Sequence, residues 1–530
     1  MKQGCKLAAE TACRIGLLLC AVALLGLTKW GFSYIAFMGQ EELVGFYSVP
    51  LSARLPGVIA LVVGSVLLVA AASRLRWLSQ WLTGIGLAVV AAQGLFWLLC
   101  TQPTPFADSL SCLQAAQNAL QNNWTDFVQG GYLYRYPFQS GIVALDEAAL
   151  RIAGSWEGGL NLLRGINFVA LMGMEISLCA IARRLFGEKV QMLSAVLLAC
   201  SVPVARYVFF LYGNLLCSAL GFAGVWLALR YLDSHRRRWA VGCAVCLALA
   251  MAAKSTALIF VAAVVIVLVL CSVQQSRWQP ILAAVLILAL AWLPGKAAQM
   301  MYSLRSGVPM QPGTATVTWL VMGLDPDPEQ YEFAPGWHTA DKRSEKAYEN
   351  AGFDYQKMKQ QQTEALRQNL QYWWQNPGQF KTFLRQKTVS QWLDPGFGSW
   401  LYLERNTDPV LAQNYQQTLY QQGWNEGLNP FLGCVHTAVY LAALVGTVWL
   451  LVKGQPRDML PALVFFGGVF YLTLSEGKSQ YAILFYPMLL PVAALGLETV
   501  QKGLARLGAA CGIGTKNAPQ NNAQQGNFCL

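Results

Sequence analysis

Long apolar runs dominate this chain, and their spacing predicts about twelve membrane-spanning helices. They fall at roughly 14–37, 56–73, 79–100, 164–182, 190–206, 214–232, 239–252, 256–273, 280–296, 430–452, 459–475 and 480–498. Each is close to the ~20 residues that carry an α-helix across a bilayer, and the run at 239–252 is the shortest. The first run follows Lys2, Lys6 and Arg14, with no small-residue cleavage site after Leu27, and reads as an uncleaved span. Polar sequence interrupts the runs in two long places. One opens with Gln102-Pro-Thr-Pro-Phe-Ala-Asp108 and runs through an amphipathic stretch to Tyr132-Leu-Tyr134-Arg135-Tyr136-Pro137. Pro, Asp and Arg at this density take the chain out of the membrane. The other, 297–429, has turn signals at Pro309 to Gly313, Asp325 to Pro328 and Ala334 to Gly336. It predicts a long polar helix around Ser344–Trp374 and a second around Gln379–Trp392, stopped by Asp394-Pro395-Gly396.

The expected architecture is an all-α polytopic membrane protein with a mostly helical cap outside the bilayer. It divides into N-terminal spans (1–100), a first large loop (101–163), a second set of spans (164–296), the cap (297–429), C-terminal spans (430–500) and a tail (501–530) that is Asn/Gln/Gly-rich and partly disordered from Lys516. Composition agrees: 55% of residues are hydrophobic and only 12% charged, against about 25% charged in soluble domains. The continuous runs exclude an outer-membrane barrel, whose strands alternate.

Charge then gives an orientation. With the N-terminus inside, the clusters at Arg74/Arg76, Arg183/Arg184/Lys189, Arg236-Arg237-Arg238, Arg277, Lys453/Arg457 and Lys502/Arg506/Lys516 all fall on the cytoplasmic side. The net charge of +11 is therefore topological and does not point to nucleic acid. Asp108 and the cap then lie outside the cytoplasm. Most of the fourteen cysteines sit inside apolar runs as small hydrophobes, and no disulfide or zinc site is assigned. Three histidines make a His-based metal site a poor expectation, and a divalent metal has no support in the sequence.

Candidate chemistry gathers at the predicted outer ends of spans. Asp108 is the one acid between Cys100 and Trp124, and a carboxylate there can take a proton from an attacking hydroxyl. It also suits a helix N-cap before Ser109-Leu-Ser-Cys-Leu-Gln. Arg135 and Tyr136 belong, with Tyr132 and Tyr134, to an aromatic-basic cluster able to stack on sugars and bind phosphate, although for at least two of these tyrosines an interfacial belt is the favoured reading. Of Asp146 and Glu147, at least one is expected to face solvent. Arg206, Lys254, Lys296 and Lys478 carry positive charge against the inside trend. For Arg206 and Lys254 a bound phosphate is favoured over snorkelling, and for Lys296 the reverse. Glu476, Lys478 and Tyr481 form a short charged turn, either a plain surface turn or a cavity wall.

Taken together these residues resemble the GT-C superfamily of integral-membrane glycosyltransferases, and most of all the bacterial relatives of protein O-mannosyltransferases grouped as family 39. The similar stretches are Pro105-Phe-Ala-Asp108 with Ala115 and Ala116, Tyr134 to Gly141, Tyr212-Gly213-Asn214, Trp319 to Leu324, Pro335-Gly336-Trp337, Lys387 to Pro395, and Glu476 to Pro487, spread over 95–500. The resemblance implies an inverting transfer, from a polyprenyl-phosphate-linked sugar to a glycan, lipid or protein acceptor, at an outward-facing site of a bacterial cytoplasmic membrane. It makes Asp108 the catalytic residue, Arg206 and Lys254 phosphate ligands, and Glu476 and Lys478 members of the charged final turn. The chain departs from the pattern in two ways: the first loop has a lone Asp, and the outer loop Arg206 to Asn214 has no carboxylate. A specialised acceptor site or a lost active site would follow from that. A rival expectation is a non-enzymatic transporter or flippase of an envelope lipid, which calls for charges deep within several spans.

Overall fold

The computed structural model describes residues 2–38, 44–100, 103–327, 335–337, 343–399 and 424–510. Gln102, which opens the first loop, and the tail from Lys516 lie outside the described residues.

The architecture is an all-α polytopic membrane fold. Among the described residues, nine helices are long and apolar enough to cross a membrane, and a tenth forms if the bent pair Glu188–Cys200 and Pro203–Phe209 is one span. Twelve is not reached by this measure. The expected seventh span is the shorter helix Arg237–Ala253, and the expected last run is interrupted. A short helix at Ser479–Ala482 and a 3-10 turn at Tyr486–Leu489 precede the continuous helix Leu490–Ala510. Pro487 and Pro491, which have no N–H to donate, explain the break. Where the helices Trp424–Lys453 and Leu490–Ala510 cross, a Cβ on Gly446 would meet Val492 O at 2.1 Å and one on Gly496 would meet Ala442 O at 1.8 Å. Two glycines thus let these backbones touch.

The first helix is shorter than its apolar run predicts. It ends at Ser33, and Tyr34–Met38 pairs antiparallel with Val44–Ser48 as a hairpin. The hairpin lies on the cap, where Ala36 donates its N–H to Leu393 O at 3.0 Å. The apolar letters at 34–38 therefore serve contact with protein rather than lipid.

The long polar helix expected at Ser344–Trp374 is two helices, Arg343–Asn350 and Tyr355–Gln375. Gly352 (φ 67°) and Phe353 (φ 60°) turn the chain left-handed between them. Asp354 starts the second by accepting the Lys357 N–H at 2.9 Å. The helix Pro377–Trp392 then runs down to the bundle, with Trp392 fully buried.

Below Trp392 the cap is keyed into the membrane helices. Asp394 accepts the N–H groups of Gly396 and Gly398 at 2.9 and 2.8 Å and the Ser479 hydroxyl at 2.6 Å. Burial pushes its carboxyl up to about 6, against these bonds, which favour the charged form. Phe397 (φ 48°) is buried against His436 and Tyr486.

Candidate active site

One cavity of about 440 Å³ lies between the first loop, the ends of several spans and the cap. Its first wall is the helix Ala107–Leu120. Asp108 is not its N-cap: Phe106 holds that position, and Asp108 sits in the first turn. There the helix dipole favours a carboxylate. Ala107 before it is left-handed (φ 48°), a conformation that non-glycine residues hold at a cost and that concentrates at functional sites. Asp108 lines the cavity and accepts the Tyr212 hydroxyl at 3.2 Å.

Two cations line the same cavity. Lys254 sits at the turn that ends the helix Arg237–Ala253, with its Nζ 3.8 Å from the centre of the Tyr212 ring. Lys478 is 3.7 Å from the centre of the Trp337 ring. Both ammonium groups also approach Tyr481, at 5.7 and 6.0 Å. Burial lowers Lys254 to about 8; Asp108 partly restores its charge, and Lys478 works against it. Tyr481 in turn donates to Glu476 at 3.4 Å.

Aromatic side chains supply the remaining wall. Tyr132 opens the short helix Tyr132–Arg135 and Tyr136 follows its end, with their rings 5.2 Å apart. Tyr136 and Phe138 reach the cap residue Trp319, at 6.2 and 6.4 Å. Apolar faces beside carboxylate and ammonium groups form a surface suited to a sugar phosphate.

The other sequence candidates lie elsewhere. Arg135 points to the cap and pairs with Glu349 at 3.0 Å, while its neighbour Tyr134 stacks on Tyr348. Arg206 is fully buried beneath the cap, donating to Ser399 at 3.0 Å with Trp97 under its guanidinium. Neither lines the cavity. Lys296 is exposed and bonds Gln299 at 3.0 Å, as a snorkelling lysine would.

The expectation that Asp146 or Glu147 faces solvent is overturned, because both are buried. Glu147 accepts from Tyr302 at 2.9 Å and from Arg305 at 2.8 Å. Burial opposes its ionisation, but these partners hold its carboxyl below the usual range.

Gln139, Tyr212, Trp319 and Trp337 also line the cavity; the sequence places them in stretches that carry the resemblance but assigns none of them a role. Tyr212 stood in plain view before Gly213-Asn214. Its role depends on Asp108, 104 positions away, and no local pattern carries that. Among the described residues no group of three or more His, Cys, Asp or Glu could hold a metal ion.

The cap fixes the charged turn through backbone atoms. Lys387 is buried and donates to the carbonyls of Gly323 and Ser475, the latter at 2.8 Å. Burial lowers it to about 7, with Glu476 opposing. Gln391 donates to Leu472 O and Gly477 O at 3.1 and 3.0 Å. Glu476 and Gly477 donate their own N–H groups to Trp319 O and Gly336 O at 2.7 and 3.1 Å.

Residues 149–294 match the family model described as dolichyl-phosphate-mannose-protein mannosyltransferase. That segment, about a quarter of the chain, contains Arg206, Tyr212 and Lys254, while Asp108 and the cap lie outside it. The match supports the class that the sequence resembles, a GT-C-type integral-membrane glycosyltransferase. No curated protein matches the chain significantly.

Two solved structures are distantly similar. The archaeal oligosaccharyltransferase AglB from Archaeoglobus fulgidus, in complex with an inhibitory peptide and a dolichol-phosphate, is 13% identical with a TM-score of 0.42; the match covers 82% of this chain and 52% of that one. This chain thus spans about half the length of that protein. ArnT from Cupriavidus metallidurans, bound to undecaprenyl phosphate, is 16% identical with a TM-score of 0.32, covering 83% and 82%.

Proposed function

We propose that this protein transfers a sugar from a polyprenyl-phosphate-linked donor to a hydroxyl of a cell-envelope glycan, lipid or protein, with inversion at the anomeric carbon. The observation that carries this reading is a single cavity lined by Asp108, Lys254 and Lys478 together, beside aromatic faces. The acceptor hydroxyl forms a new bond to the anomeric carbon while the bond from that carbon to the phosphate oxygen breaks. Its proton passes to the Asp108 carboxylate. The polyprenyl phosphate leaves with an added negative charge, which Lys254 and Lys478 offset in a site of low dielectric. Tyr136, Phe138 and Trp319 offer faces for the sugar rings.

The basic loops support an extracytoplasmic cavity in a bacterial cytoplasmic membrane. Arg183, Arg184, Arg236–Arg238, Arg277 and Arg457 cluster at the span ends away from the cap. The buried ionisable residues Arg54, Arg164 and Glu175 of the spans do not line this cavity.

The test is transfer by purified protein from a polyprenyl-phosphate-linked sugar. Asp108→Ala and Asp108→Asn should abolish turnover while folding and donor binding persist. Turnover at the wild-type rate in Asp108→Asn would overturn the reading.

A further inference from the structure

We infer that Tyr212 and Gln139 are positioning residues, forming a directional relay that aims the proton-accepting edge of Asp108 and links it to the donor-side cation. The inference rests on the proposed transfer reaction and adds two residues to it.

A phenol has one proton to give and lone pairs to receive with. The Gln139 amide donates to the Tyr212 hydroxyl in a buried contact. With its lone pair engaged, the hydroxyl must spend its one proton elsewhere, and Asp108 Oδ2 accepts it at 3.2 Å. Oδ2 thereby has one of its lone pairs engaged, while Oδ1 keeps both for the acceptor hydroxyl. All three side chains line the cavity, so the relay ends where the substrates meet.

The ring of Tyr212 has a second use. The Lys254 ammonium stands over its face, 3.8 Å from the centre, which is close for a cation–π contact. One side chain thus touches the acceptor-side base through its hydroxyl and the donor-side cation through its ring. The two contacts separate chemically, since phenylalanine keeps the ring and loses the hydroxyl. The backbone holds the residue in place: a Cβ on Gly213 (φ 73°) would meet Ala253 O at 2.5 Å, so the turn after Tyr212 packs directly on the residue before Lys254.

Substitutions test this through kcat and donor KM measured separately. Tyr212→Phe should lower kcat by roughly ten- to a hundred-fold, the usual scale for a misaimed catalytic group, with donor KM unchanged. Tyr212→Leu should lower kcat similarly and also raise donor KM. Gln139→Glu keeps the shape but reverses the polarity, since a carboxylate takes the phenol proton away from Asp108. It should match the kcat loss of Tyr212→Phe, and the double variant should be no worse than either single one. Gln139→Leu, which removes the donor without adding a competing acceptor, should retain more activity than Gln139→Glu.

Wild-type kcat in Tyr212→Phe, or equal losses in Gln139→Glu and Gln139→Leu, would overturn the relay. If Asp108→Asn is inactive in the same assay while Tyr212→Phe is normal, the relay alone fails. If Asp108→Asn is active, the transfer reading itself fails. Circular dichroism and detergent melting of each variant separate unfolding from loss of aim.

Discussion

Arg206 and Lys254 look alike in sequence and do opposite things in the fold. Each is a cation at the end of an apolar run, followed by a hydroxyl-bearing residue, Tyr207 or Ser255. Arg206 is sealed beneath the cap turn, between Ser399 and Trp97. Lys254 lines the cavity together with Asp108. What separates them is the chain that covers each one. A turn from residue 394 to 399 fills the space over Arg206, and among the described residues no such turn closes Lys254 off from the cavity. Positive charge at the end of a span therefore does not by itself mark a phosphate site, because it serves equally to dock a soluble cap.

The sharpest challenge to this contrast begins with its reference point. Asp108→Asn should reduce kcat by about 10³-fold or more, as loss of a general base does, and the loss should persist at saturating donor. Next comes Lys254→Met, whose kcat/KM for the donor should fall about a hundred-fold, roughly 3 kcal/mol of charge-assisted binding, with little change in melting temperature. Arg206→Met should do the reverse. It breaks a buried polar junction, costing about 2–4 kcal/mol of stability, and leaves donor KM close to wild type once the protein is kept cold. If the two variants gave the same profile, the contrast would be lost.

A pH series sharpens it further. Lys254 titrates at about 8 in the free protein because burial disfavours its charge. It is protonated below that pH and loses its charge above it, so donor affinity should weaken as pH rises through 8. Lys254→Arg should flatten that dependence, since guanidinium stays charged. The smallest effect belongs to Arg135→Ala. Its partly exposed pair with Glu349 should be worth less than about 1 kcal/mol, with normal turnover; a large kinetic loss would bring Arg135 back into the site.

Much of this was legible in the letters. The apolar runs and the cap helix ending at Trp392 follow from local pattern, and Asp108, Tyr136, Lys254, Glu476, Lys478 and Tyr481 stand out as candidates there beside plain capping, interfacial or surface readings, before the fold brings them into one cavity. What was not legible depends on distant partners. Glu147 reads as a surface acid until Arg305 and Tyr302 arrive from more than 150 positions away. The run Tyr34–Met38 reads as membrane until the cap end at Leu393 takes the Ala36 N–H. In each case a short segment was compatible with two environments, and long-range contact selected one.

The grip of the cap on the charged turn has a further meaning. Lys387 and Gln391 hold carbonyls, and the turn itself bonds through the N–H groups of Glu476 and Gly477. Those bonds read the main chain and are indifferent to which side chains project from positions 475, 476 and 478. Frame and contents are thereby separable: the cavity-facing side chains can be exchanged, by evolution or by design, while the scaffold that presents them stays in register. Such a division lets one membrane bundle be retuned to new sugars and acceptors without being rebuilt.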